Sequence, residues 1–159
     1  MKHIIIDTRE KPKAIAGIKK YFDAHNIEYE IKKLDFGDYM TDEHGAISID
    51  RKQNILELSR NCAAEHARFK RELERARNAG AKLVILVEQN RYIVNGEHIR
   101  VKEPIDLLRW SSRYTVINGD HIYRTLYRWL LDYDLQIVFC AKQSTGYMID
   151  KILYGDENA

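Results

Sequence analysis

Two carboxylates and a lysine, close together in the chain, are the side chains best suited to chemistry. Gly37-Asp38-Tyr39 is followed, eleven residues after Tyr39, by Asp50-Arg51-Lys52. Side chains alternate faces along a strand, so Asp50 and Lys52, two positions apart, point the same way in an extended segment. Asp38 opens the preceding extended segment, and a turn centred on Asp42-Glu43-His44-Gly45 would fold the two into a hairpin that gathers all three groups. A pair of carboxylates suits a hard divalent cation such as Mg²⁺, which takes few protein ligands and keeps several waters. A neighbouring lysine can orient a water or stabilise charge on a phosphate, so the constellation fits metal-assisted phosphodiester hydrolysis. A second charged cluster, Asp7-Thr8-Arg9-Glu10, follows the strand candidate His3-Ile4-Ile5-Ile6. Strand ends beside helix starts are where α/β folds place their sites. Helix capping by Asp7 or Thr8 would account for one residue of the cluster, but not for Arg9 and Glu10 as well.

These groups need a frame, and the periodicities supply one. A strand at His3–Ile6 leads to a helix from Pro12 to His25, with Ile15, Ile18 and Phe22 on one face. Extended segments are expected at Ile27–Lys33, Asp38–Thr41 and Ala46–Arg51. A long helical stretch from Ile55 to Ala79, broken near Cys62–Glu65, ends at Gly80. Lys82–Glu88 reads as a buried strand, and Arg91–Val94 and His98–Val101 flank the hairpin signal Asn95-Gly96. Helices are expected at Pro104–Tyr114, His121–Tyr133 and Thr145–Tyr154, with a strand at Leu135–Ala141. Such alternation predicts an α/β protein whose mixed central sheet is flanked by helices.

A chain of 159 residues with 45% apolar content can bury an ordinary core, and no Pro-Gly-Ser linker divides it, so residues 1–159 read as one domain. No apolar run approaches the roughly 20 residues of a membrane span, and the N-terminus reads as a strand and not a signal peptide. Cys62 and Cys140 read as reduced core thiols of a cytosolic, cytoplasmic protein. The six histidines show no metal-ligand spacing with each other or with the cysteines. No Gly-rich phosphate loop and no serine on a strand-to-helix elbow are present.

Charge is uneven although the net value is only +2. Between Arg51 and Arg77 eight Lys/Arg face four Asp/Glu. Arg68, Arg71 and Arg75 recur at helical spacing, away from the apolar line Phe69, Leu73 and Ala76. Alone this would be a solvated face with Glu72 and Glu74 as helix partners; beside a phosphodiester-cleaving site, phosphate contacts are the better reading. Arg124 and Arg128 share the outer face of the helix that carries Ile122, Leu126, Trp129 and Leu130, and are further candidates for phosphate contacts. Trp110 and Trp129 read as packing.

Together, Ile4-Ile5-Ile6-Asp7-Thr8-Arg9-Glu10, Gly37-Asp38-Tyr39 and Ile49-Asp50-Arg51-Lys52 resemble the nuclease domain of the XPF family of structure-specific endonucleases, with its Asp-x-Arg-Glu, Gly-Asp-Tyr/Phe and Glu-Arg-Lys motifs. Arg68-Phe69 and Leu83-Val84-Ile85-Leu86-Val87-Glu88 resemble the next helix and the central strand. The resemblance covers residues 2–88, while Trp110 and Gly119–Leu153 are similar to shorter, stand-alone phage and mobile-element members, so 103–154 would complete the fold. Two departures stand out. Asp50 replaces the family's Glu, and position 56 is Leu where the family usually places a further acid, with Glu57 lying about 100° further round a helix.

The resemblance implies a restriction-endonuclease-like fold and a metal-dependent DNA endonuclease. On this reading Asp38 and Asp50 ligate Mg²⁺ or Mn²⁺, and Asp7 completes the inner shell or holds a metal-bound water. Lys52 aligns or helps deprotonate the attacking water, while Arg51, Arg9 and Glu10 position these groups and the scissile phosphate. In-line attack would leave a 5′-phosphate and a 3′-hydroxyl. Branched or junction DNA is the implied substrate. Such enzymes typically carry a helix-hairpin-helix domain that this chain has no room for, so a homodimer or a partner protein would add DNA grip. Competing readings are a Holliday-junction resolvase or restriction-type nuclease on the same fold, and a catalytically silent DNA-binding scaffold.

Overall fold

A computed structural model describes residues 1–41 and 46–155, so the turn expected over Asp42–Gly45 lies outside the described residues. The elements run β1 His3–Ile6, α1 Ala16–Ala24, β2 Glu28–Ile31, β3 Tyr39–Thr41, β4 Ile47–Lys52, α2 Ile55–Asn61, α3 His66–Asn78, β5 Lys82–Val87, β6 Arg91–Val94, β7 Glu97–Arg100, α4 Gly119–Tyr133, β8 Gln136–Phe139 and α5 Thr145–Tyr154. One sheet has the order β2-β1-β3-β4-β5-β8. Antiparallel β1–β3 and β3–β4 pairs sit between parallel β1–β2, β4–β5 and β5–β8 pairs, so the sheet is mixed as expected.

Both faces of the sheet are covered. Phe69, Leu73, Leu126 and Trp129 pack with Leu83, Ile85 and Val87 on one side. Phe22 and Ile149 pack with Ile4, Ile6, Val84 and Leu86 on the other. The alternation along β5 explains its continuous apolar run: a strand buried on both faces needs no polar side. Burying rings such as Phe22 and Phe69 contributes about 1.5–3 kcal/mol each. Trp110 and Trp129 are buried, as read, and so are the free thiols of Cys62 and Cys140. Among the described residues no helix is long and apolar enough to cross a membrane.

Two helix expectations need correction. Residues 12–15 form a hydrogen-bonded turn in which Ala14 and Ile15 N–H donate to the Lys11 carbonyl, so α1 starts at Ala16 and not at Pro12. The helix expected over Pro104–Tyr114 is a single 3-10 turn at Pro104–Leu107. Beyond it the Trp110 carbonyl accepts from Gly119 N at 2.7 Å. A Cβ on Gly119 would overlap the Leu107 carbonyl. Close packing against the start of α4 thus draws the chain out of helical geometry.

Candidate active site

Gly37 and Asp38 enter β3 with their backbone tied on both sides. Gly37 adopts φ +72°, and a Cβ there would overlap the Ser48 hydroxyl, so both conformation and space demand glycine. Asp38 N donates to the Ile49 carbonyl at 2.6 Å, and the Asp38 carbonyl accepts from Asp7 N at 2.8 Å. Asp38 Oδ2 accepts from Arg51 N at 2.8 Å. The carboxylate is therefore aimed from β1 and β4 together.

Asp50 and Lys52 share one face of β4, as alternation requires. Lys52 Nζ lies 2.8 Å from Asp50 Oδ1. That contact is an ion pair at hydrogen-bond distance, although its angle leaves Asp50 Oδ1 without a fully aligned donor. Lys52 Nζ also sits 5.3 Å from the centre of the Phe69 ring on α3. Glu72, one turn along α3, accepts from Gly37 N at 2.7 Å. Burial, then the charges of Asp50 and Glu10, push Asp38 well above the usual carboxylate range despite the Arg51 amide and Lys52. Burial and Asp50 push Glu72 up to about 7. Burial opposes the Lys52 charge, but Asp50, Asp38 and Glu72 outweigh it and raise the ammonium's pKa. The cluster thus holds more carboxylate than its lysine can balance.

Among the described residues no three His, Cys, Asp or Glu side chains come together so as to hold a metal ion. A hard cation such as Mg²⁺ does not require three, since one or two carboxylates plus water suffice. Asp38 and Asp50 fit that requirement, and the unaligned buried oxygen of Asp50 is a donor atom of the right kind.

Asp7 is placed differently from the expectation. It is fully buried, its Oδ1 accepts from Leu34 N at 2.8 Å, and its Oδ2 accepts from Arg9 N at 3.1 Å and Arg9 Nε at 2.6 Å. Burial alone would raise its pKa, but the Arg9 side chain and the two amides hold it below the ordinary value. Both oxygens are thus engaged by the protein, and the Asp7 backbone N–H donates to the Asp38 carbonyl. Arg9 stays largely exposed beside it.

Arg51 and Glu10 lie on the opposite face of β4 from Asp50. Arg51 Nε donates to Glu10 Oε2 at 2.6 Å, Nη2 to Glu10 Oε1 at 3.3 Å, and Nη1 to Glu88 Oε1. Tyr39 Oη donates to Glu10 at 2.7 Å, and Thr145 Oγ1 to Glu88 Oε2 at 2.6 Å. Burial works against the Arg51 charge, but the two glutamates raise its pKa. The guanidinium is thus enclosed between the two glutamates.

Glu72 and Glu88 are the residues that sequence reasoning missed as site members. Glu72 lies three residues after Phe69 and four before Ala76, so a carboxylate interrupts the buried stripe of α3. That interruption was the available signal. Glu57 instead serves the start of α2: its amide donates to Asn54 Oδ1 at 2.8 Å, and its carboxylate accepts from Gln53 N at 3.0 Å. Arg68, Arg71 and Arg75 of α3 are exposed on the flank next to Glu72. Arg68 pairs with Glu65 at 3.1 Å, and Arg75 Nε donates to the Asp35 carbonyl at 3.0 Å. Arg124 pairs with Asp120 at 2.7 Å, and Arg128 lines a groove beside α3.

Comparison with known proteins bears on this geometry. The chain matches the family model described as the ERCC4 domain over residues 6–152. It is similar in structure to XPF from Aeropyrum pernix, with 16% identity and a TM-score of 0.64, covering 94% of this chain and 59% of that chain. A second similar structure is XPF from Aeropyrum pernix in complex with DNA, with 14% identity and a TM-score of 0.65, covering 96% of this chain and 63% of that one. At these identities the likeness is one of fold, and this chain spans about three fifths of the length of either structure. No curated protein matches.

Proposed function

The chain belongs to the ERCC4 domain family, that of the XPF-type nucleases acting on DNA, and from that premise we propose that it is a metal-dependent DNA endonuclease centred on Asp38, Asp50 and Lys52. The observation that carries this reading is the buried Asp50–Lys52 pair beside Asp38, with more carboxylate than the lysine balances. Asp38 and Asp50 would hold Mg²⁺ or Mn²⁺, which when bound supplies charge neutralisation at the phosphate and an acidified water. Lys52, kept protonated by its carboxylate neighbours, orients the attacking water and faces the charge that develops on the phosphate. A protonated ammonium aligns a water and stabilises charge but does not take up a proton. Glu72 fixes the Gly37 amide and adds a carboxylate next to Asp50. Arg9, exposed at the rim, is placed to meet the substrate, while Asp7, Glu10 and Arg51 keep the three central groups in register.

DNA would approach along the exposed arginines Arg68, Arg71 and Arg75, whose contacts with phosphate carry no sequence information. Branched or junction DNA is the proposed substrate, with a homodimer or partner protein supplying further grip, in a cytosolic and phage-type setting. A silent scaffold is the second reading, and the retained Asp38, Asp50 and Lys52 favour the enzyme.

The test is incubation with flap, fork, four-way-junction and plain duplex DNA, with and without Mg²⁺ or Mn²⁺. Metal-dependent cleavage, strongest on the branched forms, is expected. Binding without cleavage under every condition would favour the scaffold.

A further inference from the structure

Helix α3 carries basic side chains on two flanks. At 3.6 residues per turn, Arg68, Arg71 and Arg75 lie beside Glu72, while His66, Lys70 and Arg77 lie roughly half a turn away. The second flank faces α4: Arg77 Nη1 donates to the Asp132 carbonyl at 3.3 Å, and its guanidinium sits 4.7 Å from the Tyr133 ring. Between the two helices runs a groove of about 600 Å³. His66 and Lys70 form one wall, His121, Arg124 and Arg128 the other, and Trp129 the floor. The α4 residues recur every three or four positions, a row about 10 Å long, comparable with the rise of about three nucleotides at 3.4 Å each.

The chemistry of the groove selects its ligand. Lys70 and Arg128 have no carboxylate within ion-pair distance among the described residues, and the lining carboxylate of Asp132 stands at one end of the row. Trp129 is only 2% exposed, its ring covered by His66 at 5.2 Å and Phe69 at 5.1 Å. The floor therefore offers no face for a base to stack on, and recognition must run through charge. Phe69 also touches Lys52, so the groove and the reaction centre lie on two sides of one side chain.

We propose that the α3–α4 groove holds a DNA phosphate backbone segment outside the reaction centre, a second grip distinct from the Arg68–Arg71–Arg75 flank. This rests on the nuclease reading and adds to it where a further stretch of the substrate lies.

The test is fluorescence anisotropy in metal-free buffer with a labelled 30-base-pair duplex (about three helical turns) and a four-way junction, over a range of NaCl concentrations. Lys70→Ala with Arg128→Ala is expected to weaken binding on the order of tenfold and to make the log–log salt slope shallower by up to about two units. Its melting temperature should stay that of wild type. Lys20→Ala, on α1 across the sheet, serves as the charge-loss control and should change neither quantity. Arg128→Gln, which keeps much of the side chain's reach, should give part of the effect and replaces the pair if the pair melts early. Wild-type affinity and slope in the groove variants on both DNAs, while the Arg68, Arg71 and Arg75 triple alanine variant binds weakly, would overturn the groove and leave the nuclease reading standing. No DNA binding by the wild-type protein would overturn both.

Discussion

Asp50 and Arg51 are neighbours in one strand, yet the clusters they join on the two faces of β4 are opposites. Arg51 is enclosed by Glu10 and Glu88, which are themselves held by Tyr39 and Thr145, so the charges and donors there meet partners. The charges of Asp50, Asp38 and Glu72 all act on a single ammonium, that of Lys52, and one Asp50 oxygen lacks an aligned donor. A fully satisfied buried network stiffens its surroundings, whereas a partly satisfied one carries an electrostatic penalty until something completes it. The stable face builds the frame, whereas the other face keeps carboxylate charge that its one lysine does not balance.

The comparison can be broken most forcefully on the stable side. Arg51→Ala leaves Glu10 and Glu88 buried without their cation and should cost about 3–5 kcal/mol of stability by urea unfolding. A loss below about 1 kcal/mol, the range of surface pairs, would mean that the network does not hold the frame. On the other face Lys52→Ala should lower the single-turnover cleavage rate at saturating DNA on the order of 10²- to 10⁴-fold, with a much smaller change in melting. Normal cutting once saturated would make the lysine a simple phosphate contact.

Asp7 sharpens the boundary between the two faces. Asp7→Asn should destabilise by on the order of 1–3 kcal/mol at neutral pH, towards the low end because solvent screens the exposed Arg9. Its folded pKa is depressed, so its contribution is present above the unfolded value of about 3.9 and is lost as pH falls through the folded value. The gap between wild type and variant should therefore close in acid. A gap that is independent of pH would assign the effect to packing. Glu72→Gln should show the smallest change and the opposite sign. Its folded pKa is raised to about 7, so ionising it destabilises the metal-free protein as pH rises from the unfolded value towards and past 7. The variant should melt a few degrees higher at pH 8 (about 1 kcal/mol at this size), with the advantage fading towards pH 5. A lower melting point at pH 8 would count Glu72 among the satisfied groups.

What could be read from the sequence divides along physical lines. The strands, the Asn95-Gly96 hairpin and the shared face of Asp50 and Lys52 rest on local periodicity, which survives folding. The Pro104–Tyr114 helix was misjudged because Gly119, distant in sequence, packs on the Leu107 carbonyl and overrides local preference. Nothing near Asp7 in sequence shows that the Leu34 amide takes one of its oxygens. The enclosure of Arg51 was hidden for the same reason, since Glu10, Glu88 and Thr145 arrive from three separate segments. Glu72 alone left a local trace, as a charge on an apolar stripe.

If Asp38 and Asp50 form an electrostatically unfinished site, a divalent cation should complete it and stabilise the fold. Thermal melting of the wild-type protein and Asp38→Asn in chelator and across a Mg²⁺ titration measures this. The wild-type melting temperature should rise with Mg²⁺ in proportion to the logarithm of its concentration above the dissociation constant. Asp38→Asn should melt higher than wild type in chelator and respond little to Mg²⁺. A wild-type protein indifferent to Mg²⁺, with Asp38→Asn melting lower in chelator, would contradict an unfinished site.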